Sequence, residues 1–270
     1  MRQTAGHRTT HFANRREGIG TISTRVAYAF VAAGLVLLCV AVFGQSVQFD
    51  FVGYDDILYV TENPMVLQGI TWASVAESWS YVAIAEWQPL TFISHMLDIE
   101  LFGLNAGGHH GVNVFWHSLN VVLLFTLLLR ITGNPIGSLA VALIFAIHPY
   151  QSEPVAWVSS RKDLLYSACT LGTFILYVEH VLRKSRFAYV GSIMLACVAL
   201  TAKPSAILIP FFLVLLDYWP LERAGRGPTW RDMLRVSAWD KIPFAVMTCV
   251  GLLHTLSVGA ELDVTRASDV

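Results

Sequence analysis

The stretch Val26-Ala-Tyr-Ala-Phe-Val-Ala-Ala-Gly-Leu-Val-Leu-Leu-Cys-Val-Ala-Val-Phe43 runs for 18 residues without a charge. A membrane-spanning helix needs about 20 apolar residues. Arginines precede the stretch, as in a signal peptide, but it is longer than a signal peptide's apolar region and no small-x-small cleavage site follows cleanly. It reads as a retained first span. Comparable segments recur at Val112–Leu129, Ile136–Ile147, Leu164–Leu182, Phe187–Ala202, Ser205–Leu216 and Ile242–Val258, about seven spans in all. Three of them are short and bordered by proline: Pro135 and Pro149, Pro204, and Pro243. Composition agrees. Of 270 residues, 55% are hydrophobic and 14% charged, and the mean hydropathy is +0.56. Soluble domains carry roughly a quarter charged residues, so a soluble α/β enzyme is disfavoured. The expected fold is all-α, a multi-pass transmembrane helix bundle. A net charge of −1 offers no basic field for nucleic acid. The four cysteines lie in apolar runs with no CxxC spacing, which suggests neither a zinc site nor a disulfide framework.

Lys and Arg placement orients the bundle. Arg2, Arg8, Arg15, Arg16 and Arg25 precede the first span, and no Lys or Arg occurs from Gly44 to Leu129. That basic-free stretch holds eight acids. Alternating sides across the spans puts 14 basic residues inside and four outside: Arg161, Lys162, Lys203 and Arg266. This is the bias of the positive-inside rule with a cytoplasmic N-terminus. The domain plan is a basic cytoplasmic tail over 1–25, a transmembrane domain over 26–258, and an outer tail over 259–270 that reads as truncated. Within the domain lie a long outer loop at 44–110, a second outer loop at 148–163 and an inner loop at 219–241. Helical spacing of Trp72, Val75, Ala76 and Trp79, with a helix opening at Pro89, predicts amphipathic helices on the outer surface. Trp72, Trp79 and Trp87 suit the membrane interface.

Three groups could carry chemistry. Asp55 and Asp56 lie in Phe51-Val-Gly-Tyr-Asp-Asp-Ile-Leu-Tyr-Val-Thr-Glu-Asn-Pro64. A carboxylate among apolar residues can take a proton from a hydroxyl nucleophile or ligate a hard cation. An Asp pair on a wet loop can equally cap a turn. The second group is His148-Pro-Tyr-Gln-Ser-Glu-Pro-Val-Ala-Trp-Val-Ser-Ser-Arg-Lys-Asp163. There Arg161 can hold a phosphate bidentately, or Arg161 and Lys162 can snorkel at a helix end while Asp163 caps the next helix. Lys203, in Thr-Ala-Lys-Pro on the same outer face, could neutralise phosphate beside Arg161. Asp163 and Glu153 could instead tie both cations into an ion-pair network. His95, His109, His110 and His117 are scattered and lack recognisable metal-ligand spacing.

The order of these blocks resembles the N-terminal membrane region of the transmembrane and tetratricopeptide repeat-containing O-mannosyltransferases, of the GT-C class. Trp87-Gln-Pro-Leu-Thr-Phe-Ile-Ser-His95, His110-Gly-Val-Asn-Val-Phe-Trp-His117 and the block from His148 to Leu164 carry the likeness, over about Phe51–Tyr218. The resemblance implies a polyprenyl- or dolichyl-phosphate-linked sugar, with mannose expected, as donor and a protein Ser or Thr hydroxyl as acceptor. It also implies an integral membrane location, with transfer on the periplasmic or lumenal face. Asp55 or Asp56 would be the base. Arg161, Lys203 and His148 would face the donor phosphate, with Glu153 and Asp163 in support. No cofactor is obligatory; a divalent ion, if used, would sit on Asp55 and Asp56. Lys-Pro stands where Lys-Glu is common in the family. The expected GT-C bundle has more spans than seven and a following repeat array. A transporter or flippase is the competing class and would place ionisable residues near span centres. A non-catalytic scaffold would need no acids and bases gathered on one face.

Overall fold

The computed structural model describes residues 22–83, 86–225, 227 and 229–268. Most of the basic tail expected at 1–25 therefore lies outside the described residues. The first helix, α1, spans Ile22–Phe43 and runs into a 3-10 turn, Gly44–Gln48. A polar stretch then holds a single π-helical turn, Ile57–Thr61, followed by α2 (Pro64–Leu67) and α3 (Trp72–Ser78). A two-residue ladder pairs β1 (Val82–Ala83) with β2 (Glu86–Trp87) antiparallel. Next come α4 (Pro89–Phe102), α5 (Ala106–Thr132) and α6 (Pro135–Ile147). The short α7 (Ser152–Ala156) lies between two 3-10 turns, Pro149–Gln151 and Val158–Ser160. The chain finishes with α8 (Arg161–Arg183), α9 (Arg186–Ala202), α10 (Ile209–Tyr218) and α11 (Trp230–Ser268). The class is all-α.

All seven apolar segments are helical, but they differ in reach. Four stretches are long and apolar enough to cross a membrane: Val26–Gln48, Ala106–Thr132, Val158–Arg183 and Arg235–Ser257. The remaining three, Pro135–Ile147, Arg186–Ala202 and Pro204–Tyr218, are shorter. At 1.5 Å per residue the 13 residues of α6 extend only about 20 Å, against a hydrocarbon core of about 30 Å. Large apolar side chains point away from the bundle. Phe30 is 74% exposed, Ile136 80% and Phe187 93%. Water would penalise such a surface and lipid does not, so this is an integral membrane protein.

Local chemistry sets the turns. The Oδ1 atoms of Asn63, Asn105 and Asn134 each accept a backbone N–H from the opening turn of α2, α5 and α6. Pro64 and Pro135 occupy a first-turn position, where the missing N–H costs nothing. Asn105 starts α5 six residues before Val112, where hydropathy alone put the span. Likewise α11 begins at Trp230, inside the expected inner loop, and runs on through Ser268.

The long loop is an ordered roof. Tyr59, Val60, Met65, Val66, Phe92, Met96 and Val158 form one apolar cluster beneath it. Thr91 Oγ1 donates to the Ala202 carbonyl at 3.2 Å, tying α4 to the end of α9. Trp72 is 93% exposed and Trp79 52%, while Trp87 is half-buried and packs on His254 at 4.6 Å between ring centroids.

Candidate functional site

The roof and the helix ends under it gather most of the residues singled out in the sequence. The two adjacent aspartates have opposite environments. Asp56 is fully buried. Its Oδ2 accepts from the Val52 N–H at 2.9 Å and its Oδ1 from the Ser159 N–H at 2.9 Å. It therefore stitches the first loop to the turn before α8. Asp55 is half-buried and forms no hydrogen bond or ion pair among the described residues. The neighbouring Tyr54 ring lies 6.1 Å from that of Trp157. Asp55 thus stands beside the second loop with its carboxylate uncommitted.

That second loop borders a cavity of about 280 Å³. Asn120, Tyr150, Glu153, Ser160, Asp163 and Lys203 contribute polar groups to its wall. Lys203 Nζ donates to Asp163 Oδ1. Asn120 is buried; its Nδ2 donates to the Leu164 carbonyl at 2.9 Å, and its Oδ1 has no partner. His148 is exposed and outside this wall; its Nδ1 accepts the Tyr150 N–H at 3.2 Å and caps the turn into α7. Lys162 points elsewhere, donating to Glu86 Oε2 at 2.8 Å and to the Tyr59 hydroxyl at 3.4 Å. Gln88 Nε2 also donates to that hydroxyl. Burial is the main reason the Tyr59 phenol sits above its ordinary pKa, with Lys162 opposing it.

Arg161 does not reach the cavity. It is fully buried, and all three guanidinium nitrogens are engaged. Nε donates to Asn113 Oδ1 at 2.8 Å, Nη2 to the His109 carbonyl at 2.8 Å, and Nη1 to Asp98 Oδ2 and to Ser94 Oγ at 3.3 Å. The carboxylates that pair with Arg161 and Lys203 are therefore separate: Asp98 for Arg161 and Asp163 for Lys203.

Sequence reasoning passed over Asp98 and its neighbours. Asp98 touches Arg161 and His109, whose Nδ1 lies 3.2 Å from Asp98 Oδ2. His95 is on the same helix, three residues earlier. Burial, reinforced by the charge of Arg161, holds the His95 imidazole well below its usual pKa, so it is neutral. The His95-x-x-Asp98 spacing was the legible signal, since residues three apart share a helix face.

The fold and site define an integral membrane protein, a helical bundle with the Arg161–Asp98 pair buried beneath an ordered roof. No family model matches the chain, and no solved structure matches it. Curated relatives do. Protein O-mannosyl-transferase TMTC1 of Mus musculus is 32% identical over 194 residues, 68% of this chain and 19% of that protein. Protein O-mannosyl-transferase Tmtc1 of Drosophila melanogaster is 34% identical over 121 residues, 45% of this chain and 14% of that protein. Protein O-mannosyl-transferase TMTC4 of Mus musculus is 30% identical over 215 residues, 67% of this chain and 28% of that protein. Over the part it shares with them, the chain belongs to the TMTC protein O-mannosyl-transferase family. The aligned stretch is less than a third of each of these relatives' length.

Proposed function

We propose that this chain carries the membrane part of a GT-C-type mannosyltransferase, which moves mannose from a polyprenyl-phosphate donor to a protein Ser or Thr hydroxyl on the extracytoplasmic face. The names of the relatives support the sugar and the protein acceptor. The distribution of Lys and Arg supports a cytoplasmic N-terminus, with the roof on the far side. The observation that carries the reading is one uncommitted carboxylate, Asp55, outside the wall of the polar cavity that holds Lys203 but next in sequence to a residue hydrogen-bonded to the turn bordering it. The Asp56–Ser159 hydrogen bond links the two, because Ser160 is part of the cavity wall.

In this reading Asp55 takes the proton of the acceptor hydroxyl as its oxygen attacks the anomeric carbon, and the lipid phosphate leaves with the electrons of the broken bond. Lys203 turns from Asp163 toward the departing phosphate and stabilises its charge. Glu153 stands on the cavity wall, and His148 caps the turn that leads to it. Arg161 acts at one remove, holding α4, α5 and α8 together, because its donors are spent on Asp98, Asn113, Ser94 and His109. A metal on the aspartate pair fits poorly, since both Asp56 oxygens already accept backbone N–H groups. A transporter is disfavoured because Arg161 opens α8 and Asp217 stands one residue from the end of α10, so neither buried charge lies at the middle of its helix.

The test is transfer from polyprenyl-phosphate-mannose to a Ser/Thr peptide, using the complete protein in native membranes. Asp55→Asn should lower turnover by about 100-fold or more, the scale of a lost general base. Wild-type turnover in Asp55→Asn would remove Asp55 from the reaction.

A further inference from the structure

We propose that His95, Asp98 and His109 form a binding site for a divalent metal ion of the class that takes nitrogen and oxygen ligands, with zinc the first candidate. The proposal does not depend on the transferase reading. All three residues are buried, and one ligand atom from each lies within 4.8 Å of the other two. The fold brings them together by a simple route. His95 and Asp98 share a face of α4, and the turn at Gly103, with φ of 58°, sends the chain back so that the first turn of α5 presents His109.

Two details point to a cation. His109 Nε2 lies 3.0 Å from the Gly103 carbonyl, which can only accept, so Nε2 carries the hydrogen. In the neutral ring Nδ1 is then a bare lone pair, and it faces Asp98 Oδ2 at 3.2 Å. Two lone pairs at that distance repel unless a positive charge lies between them. A ring N–H held by a backbone carbonyl is also the usual support for a metal-binding histidine. The second detail is His95, fully buried with neither ring nitrogen hydrogen-bonded. A protonated His109 would satisfy the contact with Asp98 but would leave His95 unexplained. A metal ion accounts for both.

Arg161 sets the terms of the site. Its guanidinium pairs with Asp98, so Arg161 and a divalent ion together outweigh that carboxylate. The open fourth position would therefore take an anionic ligand, such as hydroxide or a phosphate oxygen. Asp56 lies within electrostatic reach of Arg161 and offsets part of the excess.

The experiment uses the full, tag-free chain in lipid nanodiscs, with metal content measured by mass spectrometry and Co²⁺ as a visible probe. The expected result is about one equivalent of bound Zn²⁺ and, after replacement by Co²⁺, ligand-field bands in the visible range. His95→Ala and His109→Ala should each lower the bound metal at least tenfold. His110→Ala, which removes a buried neighbour outside the triad, should keep it. Asp98 is left intact because its removal would strand Arg161. A wild-type chain that takes up neither Zn²⁺ nor Co²⁺ overturns the proposal, whatever the variants do. So does equal loss of metal from His110→Ala and the two triad variants.

Discussion

At the scale of single residues, adjacency in sequence says little about role. Asp55 and Asp56 share charge, position and apolar neighbours, yet one is tied by two backbone N–H groups and the other is not. The sequence could not order them, because what separates them is Ser159, about a hundred residues away. Asp56→Asn weakens two hydrogen bonds to a charged acceptor. It should cost about 1.5–3 kcal/mol, read as a lowered melting temperature in nanodiscs. Asp55→Asn should stay within about 0.5 kcal/mol of wild type. Equal melting of the two variants would contradict the assignment of Asp56 as a structural pin. Arg161 invites the same treatment. Lysine keeps the charge but cannot meet Asn113, Asp98 and the His109 carbonyl together. Arg161→Lys should therefore destabilise the fold by about 1.5–3 kcal/mol, the range for hydrogen bonds lost by a charged group. A melting temperature matching wild type would show that those contacts contribute little.

At the scale of elements, the sequence was most legible where a local rule acts alone. Pro89 does open a helix, and Trp72 and Trp79 lie on one exposed face. What remained hidden depended on partners distant in the chain. Val82–Ala83 and Glu86–Trp87 are too short to show strand periodicity. The early start of α5 rests on the Asn105 side chain rather than on hydropathy. Gly107 shows why this junction is specific. A Cβ there would stand 2.5 Å from the Val47 carbonyl oxygen, which belongs to backbone and cannot rotate away. Gly107→Ala should accordingly cost about 1–3 kcal/mol, the range for overpacking, and loosen the turn after α1 against α5. Protease cleavage between residues 44 and 50 is the readout. Cleavage at the wild-type rate would mean that the two backbones separate freely.

At the scale of the whole molecule, the polar groups form two caps on an apolar middle. One cap is the roof. The other joins α8, α10, α11 and the segment between the last two. There the Tyr177 hydroxyl meets Asp217 at 2.8 Å, Arg223 donates to that hydroxyl at 2.8 Å and to Asp240 at 2.7 Å, and Lys241 pairs with Asp217. The positive-inside reading puts this second cap in the cytoplasm. In a cysteine-free background, Ser80→Cys should react with an impermeant thiol reagent only from outside, and Arg186→Cys only from inside. Both positions are exposed, so access is set by the membrane and not by packing. Labelling of both from one side would reverse or break the proposed topology, and with it the facing of Asp55 and Lys203.

The shortness of α6 also dictates what the lipids do. Its outer face carries Ile136 and Ile144, 80% and 62% exposed, on a helix of 13 residues. Acyl chains meeting so short a wall must tilt or compress, because exposing either them or the isoleucines to water costs more. A membrane-spanning α6 therefore dimples the bilayer around itself. Its C-terminal end leads directly to Tyr150 and Glu153 on the cavity wall. Head groups drawn down into that dimple would approach the cavity, and the proposed donor, a phosphate on a long isoprenoid tail, would then enter sideways while its tail stays dissolved in the membrane.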